Sequence, residues 1–374
     1  MKPEIFVTIV FILLTSVNTA FAENDSSAVK MQIFTIQKTM REDLTAGRIE
    51  QARNNLEQAA GNFHSVEIEL GLIQTLMQAG EYRHALSAAA HTQAEHGDVI
   101  ESTLFYAWLL AMGGQQQPAK QLLENALERN PDNNFLRDIN GQLKTHRLVA
   151  SELKTTDNIQ LKPFTSQLSA NLKYLQSGIV LNDGIHVITT AQQLKKEKTL
   201  KVINGLGETK TAHRDSLFIN ENLALLILES PIKISRAITI TNKPAFPGTP
   251  IYLIGYSSFD QNQAKWPQLK IDILGTPSDI PGSGYPIHIP ENIAGSGVYN
   301  QHGDLLGVSS WNSAQNNVMI PLNSVLAYLS TKIQNTTSSE SSSKFKNIAA
   351  IATQPAMDEI YETALKNSVQ ILGE

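Results

Sequence analysis

"QSGIVLNDGIHVITTAQ", residues 176–192, decides the character of the second half of this chain. Apolar and β-branched runs on either side of Asn182, Asp183 and Gly184 read as strand, turn, strand. Working outward, the same texture recurs in "LALLIL" (223–228), "TPIYLIGY" (249–256), "LKIDILGTP" (269–277), "GDLLGVSSW" (303–311) and "NVMIPL" (317–322). Many short strands separated by Gly, Asn, Asp and Pro predict a β-barrel or sandwich. A helix over "LNSVLAYLSTKI" (322–333) is expected to close it.

Upstream the texture is different. Residues 31–148 are rich in Ala, Leu, Gln and Glu with helical spacing of apolar positions. "AGRIEQA", "AGEYRHA" and "GGQQQPA" place Gly47, Gly80 and Gly114 at intervals of 33 and 34 residues, each followed five positions later by Ala52, Ala85 or Ala119. A glycine can end one helix there, and a small alanine lets the next pack close. The alternative is a helical bundle with accidental periodicity, against which the agreement in phase over three units argues. Tyr82, Tyr106 and Trp108 are read as packing residues. His84, His91 and His96 lack the i, i+4 spacing of a helical zinc site and are read as solvated surface.

Composition narrows the functions. The chain has 374 residues, 41% hydrophobic and 17% charged, enough for about two domains. A net charge of −5 without a long basic run gives no reason to expect a nucleic-acid partner. With no cysteine, disulfides, thiolate metal sites and cysteine nucleophiles are excluded. No metal or other cofactor is expected. Lys2, the apolar run "IFVTIVFILL" (5–14) and "AFA" (20–22) before Glu23 predict a cleaved export signal, with an uncleaved anchor as the alternative. A periplasmic location is expected, with no membrane span after cleavage.

The helical units resemble tetratricopeptide repeats. The third matches best, with Ala107, Gly114, Ala119, Ala126 and Pro131 at the family's small, turn and terminating positions, and the first adds Ala59. The resemblance implies a short solenoid that binds a peptide or protein partner and carries no chemistry.

Residues 172–333 resemble trypsin-like serine proteases of the Deg/Htr type, which implies a chymotrypsin-like double β-barrel. In that family a strand pair ends in V-L-T-x-x-H, and here "VITTAQ" puts Gln192 at the histidine position. The D-L-A-L-L-x-L motif becomes "NLALLIL", with Asn222 for the aspartate. The G-N-S-G-G motif and its following turn align without gaps on "NIAGSGVYNQHGDLLGV" (292–308), which puts Ala294 at the nucleophile position. Ser296, between Gly295 and Gly297, is the alternative nucleophile, but using it requires deleting two residues before the turn. Asn292 and Ala294 stand where the family's oxyanion-hole amides would be.

A serine attacks only when a base takes its proton, and glutamine has no useful basicity while alanine has no oxygen. Three replacements imply a pseudoprotease. A vestigial cleft around Asn292, Gly295, Ser296 and Gly297 could still bind an extended peptide by adding it to the sheet. The resulting expectation is a non-catalytic adaptor or scaffold. The alternatives are an active endopeptidase using Ser296 with a relocated base, and a chaperone-like binder.

The expected organisation is a signal peptide (1–22), helical repeats (31–148), a linker (149–171), the protease-fold domain (172–333), a Ser/Thr-rich linker (334–344) and a C-terminal helix with a strand-like end (345–374). For "SVQIL" (368–372) two expectations stand: a strand that joins the barrel as in a permutation, or part of a free docking helix.

Overall fold

The computed structural model describes residues 27–144, 162–165, 171–194, 200–214, 222–234, 236–241, 245–256, 265–277, 284–289, 293–311, 317–322 and 354–373. The expected closing helix over 322–333 and the expected export signal lie outside them, apart from Leu322.

The helical region runs α1 (27–45), α2 (Ile49–Phe63), α3 (Val66–Gln78), α4 (Tyr82–Glu95), α5 (Ile100–Met112), α6 (Gln116–Arg129) and α7 (Asn134–Lys144). The periodic glycines do one job three times. Gly47, Gly80 and Gly114 have φ of 75°, 74° and 83°, a conformation that favours glycine. At each, the glycine N–H bonds back to Leu44, Met77 or Ala111, and the next N–H (Arg48, Glu81, Gln115) bonds to Asp43, Leu76 or Leu110. This paired arrangement closes the C-terminus of α1, α3 and α5 and turns the chain into the next helix. Ala52, Ala85 and Ala119 are fully buried, so each following helix packs close.

The β domain has two sheets. β1 (Lys173–Val180), β2 (His186–Thr190), β3 (Leu200–Asn204), β4 (Thr209–Arg214) and β5 (Leu223–Leu228) belong to the first. β6 (Pro250–Gly255), β7 (Gln268–Ile273), β8 (Tyr285–Ile287), β9 (Gly297–Tyr299), β10 (Leu305–Trp311) and β11 (Asn317–Pro321) form the second. The sixth strand of the first sheet comes from far away. After α8 (Met357–Asn367), β12 (Ser368–Gly373) inserts antiparallel between β1 and β3 and closes the barrel in the order β1-β12-β3-β4-β5-β2. The second sheet runs β7-β6-β9-β10-β11-β8, its two edges tied where the Gly275 N–H donates to Pro286 O at 2.9 Å. A helical region followed by a closed six-stranded β-barrel and a second six-stranded sheet is therefore the architecture.

Of the two expectations for the tail, the structure shows the barrel strand. Val369 and Ile371 are fully buried among Val180, Val187, Val202, Ala224 and Leu226 inside the barrel. Leu372 faces the other way, against Leu172 and Ile203. Burying three such side chains contributes roughly 1.5–3 kcal/mol each before conformational entropy is subtracted. β12 is thus a strand of the barrel although it follows β11 by more than forty residues.

The helical region and the barrels share one core. The Trp108 ring of α5 lies 5.2 Å from that of Trp266 beside β7, and Tyr82 of α4 meets Tyr361 of α8 edge-on at 4.5 Å. The Tyr361 hydroxyl donates to Pro267 O at 2.6 Å. Tyr82 and Trp108 are packing residues, buried within this junction, while Tyr106 is partly exposed. Of the expected linker 149–171 only residues 162–165 and 171 are described, and Phe164 among them is tied to α3. Gln78 accepts from the Phe164 N–H and donates to the Phe164 and Leu206 carbonyls at 2.9 and 2.6 Å, while the Phe164 ring packs against the α1–α2 core. His84 and His91 are exposed, but His96 is only 26% exposed and faces Glu69 at 3.4 Å, a correction to its reading as solvated surface.

Candidate functional site

The three segments singled out by resemblance meet at the seam between the two sheets. β2 ends at Thr190, and the chain turns into a short 3-10 helix at Gln192–Leu194. The β2–β5 register sets Thr190 opposite Leu223, and the Ala191 N–H donates to Asn222 O at 3.0 Å. Positions 192 and 222 are therefore held together by the ladder of the first barrel. The third segment comes from the second sheet: the Ala294 carbonyl accepts from the Ser177 N–H of β1 at 2.9 Å.

The loop carrying Ala294 is tightly bonded. The Ser296 N–H is shared between Ile293 O at 3.1 Å and Ser309 Oγ at 3.0 Å, and Ser309 Oγ donates to Ile293 O at 2.5 Å. The Gly295 N–H donates to Ser309 O at 2.7 Å and the Ser309 N–H to Ser296 O at 2.9 Å. Gly295 has φ +82°, and a Cβ there would lie 1.8 Å from Ser177 O and 2.8 Å from Thr189 Oγ1. Only glycine fits where the loop crosses β1. Ala294 is 5% exposed, Gly297 is buried at the start of β9, and Asn292 lies outside the described residues.

Ser296 is buried against other hydroxyls. It is 1% exposed, and its Oγ lies 3.4 Å from Ser177 Oγ and so close to Gly255 that a Cβ there would sit 2.0 Å away. Ser177 Oγ in turn accepts from the Tyr256 N–H at 2.8 Å and contacts the Tyr174 hydroxyl at 3.2 Å. Burial raises the Tyr174 phenol above its ordinary pKa, so it stays protonated beside Ser177. Beside Ser296, a cavity of about 10 Å³ lined by Leu253, Gly255, Lys270 and Ile293 is at the lower limit for one water, far too small for a peptide side chain.

Among the described residues, no histidine hydrogen-bonds to Ser296. His186 pairs with Asp183 at 2.5 Å in the β1–β2 turn, and His213 with Glu229 at 3.1 Å. The His288 backbone N–H is held by Asp272, and the His302 N–H by Asn300 at 2.8 Å. Burial works to raise the Asp183 pKa, but hydrogen bonds from the His186 ring and from the amides of His186 and Ile185 outweigh it and hold the carboxyl below its usual range. No group of three or more His, Cys, Asp or Glu arranged to hold a metal occurs among the described residues.

One feature of the seam was not legible in the sequence. Gln176 Nε2 donates to Thr189 Oγ1 at 2.9 Å and Thr190 O at 2.6 Å, Thr190 Oγ1 donates to Gln176 Oε1 at 2.6 Å, and Thr189 Oγ1 donates to Ser177 O at 2.6 Å. All four residues are at most 1% exposed. A buried network is stabilising only when every member is satisfied, and here the bonds interlock the ends of β1 and β2 beneath the loop. The adjacent polar pairs Gln176-Ser177 and Thr189-Thr190, set against apolar strand neighbours, were the available signal.

Similarity to solved structures is to protease domains. The chain is 16% identical to the Rv3671c protease in its inactive form, over 43% of this chain and 86% of that one, with a TM-score of 0.33. It is 18% identical to the MamO protease domain of Magnetospirillum magneticum, over 44% and 92%, at a TM-score of 0.31. A serine endoprotease from Yersinia pestis is matched at 17% identity over 46% and 60%, with a TM-score of 0.33. No family model matches the chain, and no curated protein matches it.

Proposed function

We propose that this chain is a non-catalytic pseudoprotease that acts as an exported, periplasmic adaptor or scaffold for a protein or peptide partner. The observation that carries this reading is the placement of Ser296. The one serine in the nucleophile loop is buried among hydroxyls, with no imidazole hydrogen-bonded to it among the described residues. The gap-free register puts Ala294, which has no attacking atom, at the nucleophile position, with Gln192 and Asn222 at the other two triad positions. A serine without a base to take its proton is a poor nucleophile.

The helical units support the binding half of the proposal. Their three repeated glycine turns and closely packed alanines are what tetratricopeptide-like stacking requires. Such stacks present extended surfaces to polypeptides.

The test is a fluorophosphonate probe applied to the chain from Glu23, beside a Ser296→Ala control. No labelling with an intact circular-dichroism spectrum is the expected result. Labelling of the parent that disappears in the control would make this a serine hydrolase and overturn the proposal.

A further inference from the structure

We infer that a groove between α4, α5 and α8 takes the guanidinium group of an arginine carried by a polypeptide partner. The groove has a volume of about 500 Å³, within the roughly 300–1,000 Å³ of ligand pockets, and lies at a junction of the kind where such pockets concentrate. α4 lines it with Arg83, Ser87 and Ala90, α5 with Tyr106, and α8 with Asp358 and Glu362. Because α8 leads directly into the last barrel strand, the helical repeats do not form this groove by themselves.

Its charges do not cancel. Glu81, in its wall, is matched by Arg53 at 2.7 Å and by the His84 ring at 2.8 Å. Arg83 is the other cation, and its Nε lies 3.5 Å from Asp358. Glu362 stands one turn along α8 from Asp358, on the same face. Its Oε2 accepts the Arg83 backbone N–H at 2.9 Å, and its Oε1 accepts from no described residue. The stem of Lys366, a further turn along, lies over Gly80 and makes no ion pair with Glu362 among the described residues. With His84 neutral, the groove therefore carries one carboxylate in excess.

The occupant follows from this chemistry. A cation is required, and no three His, Asp or Glu among the described residues are arranged to hold a metal. An organic cation on an apolar stem fits instead. Leu86 and Ala90 offer a wall to methylene groups, and Tyr106 an aromatic surface on which a guanidinium packs more readily than a strongly hydrated ammonium. The planar fork of arginine also matches a carboxylate, and Glu362 is its acceptor. The inference rests on the binding half of the proposed function and names the chemistry of its partner.

The chain from Glu23, which retains every described residue, is to be titrated into a fluorescein-labelled octapeptide alternating alanine and arginine, with anisotropy as the readout. Saturable binding is expected, and none to the same peptide with citrulline for arginine. Glu362→Gln keeps an acceptor for the Arg83 N–H and is expected to weaken binding about fivefold or more. Ser87→Arg, at an exposed helix position, is expected to block it by placing a guanidinium in the groove, with the melting curve unchanged in both variants. Asp132→Asn removes the same unit of charge from the exposed α6–α7 turn and is expected to change nothing. Absence of binding by the parent overturns the inference, as does equal binding of the citrulline peptide. Equal losses from Asp132→Asn and Glu362→Gln, the mark of bulk charge alone, overturn it too. The readout does not involve Ser296, so fluorophosphonate labelling would sink the pseudoprotease reading and leave this one standing, and failure here would do the reverse.

Discussion

Gly178 of β1 lies directly opposite Val369 of β12, although the two stand near opposite ends of the β domain's sequence. The pairing depends on the missing side chain. A Cβ at position 178 would lie 2.8 Å from Val187 Cγ1, 3.0 Å from Ile371 Cδ1 and 3.2 Å from Val369 Cγ2. Gly178→Ala is therefore expected to overpack the barrel and cost about 1–3 kcal/mol. The midpoint of urea unfolding reads this directly, and an unchanged midpoint would mean that β12 is not seated there.

Removing the last strand should do more. A chain ending at residue 344 loses α8 and β12, leaving β1 and β3 with unpaired edges and the barrel without Val369 and Ile371. Loss of the cooperative β-domain transition is expected, with recovery when a peptide of residues 354–373 is added. A truncated chain that melts like its parent would refute the barrel role of the tail.

The register of the nucleophile loop can be tested by gain of function. Ala294→Ser alone should remain unlabelled by a fluorophosphonate, because no base accompanies it. Combined with Gln192→His and Asn222→Asp, it should become labelled. A serine lacking its triad partners retains at most ~10³–10⁴-fold over water, so the difference is wide enough to read. Equal labelling of the single and triple variants would sink the register argument.

Trp266 couples the two halves through its contact with Trp108. Trp266→Ala is expected to cost about 3–5 kcal/mol and to split one calorimetric transition into two, for the helical region and the barrels. A single shifted transition would show that the remaining contacts, among them Tyr82 with Tyr361 and Gln78 with Leu206, suffice to couple them.

Acid should weaken the β1–β2 turn. The Asp183 carboxyl is held below its usual range in the folded protein, so its contribution is fully present above the unfolded value near ~4 and is lost as pH falls through the lower folded value. Asp183→Asn should flatten this acid limb of the stability curve. The effect is small, because the side chain is 43% exposed and solvent screens its ion pair with His186. An acid limb as steep in the variant as in the parent would assign it to other carboxylates.

Much of the fold could be read from apolar runs, and the exceptions have physical causes. β1, β2, β5, β6, β10 and β11 follow the fragments quoted at the outset. β3 and β4 escaped: "TKTAHR" buries only Ala212, so its alternation is nearly all polar. "SVQIL" was legible as a strand, but its place between β1 and β3 was one of two readings, because pairing across such a separation leaves no local mark. The tether of Gln78 to Phe164 was invisible, since one glutamine late in a helix has no signature until its partners are known. At the seam, resemblance singled out positions 192, 222 and 294, while the burial of Ser296 depends on Gly255, a residue that no motif connects to it.

The placement of β12 also orders events in time. At about 5–20 residues per second, translation of the stretch between β1 and β12 takes roughly 10–40 s. For all of that interval β1 and β3 wait with open edges, the condition that invites aggregation. A chain on which the ribosome stalls anywhere before residue 368 cannot close its barrel at all. Closure thus certifies that translation has run through to the last strand, and an interrupted product keeps an open sheet that proteases can reach.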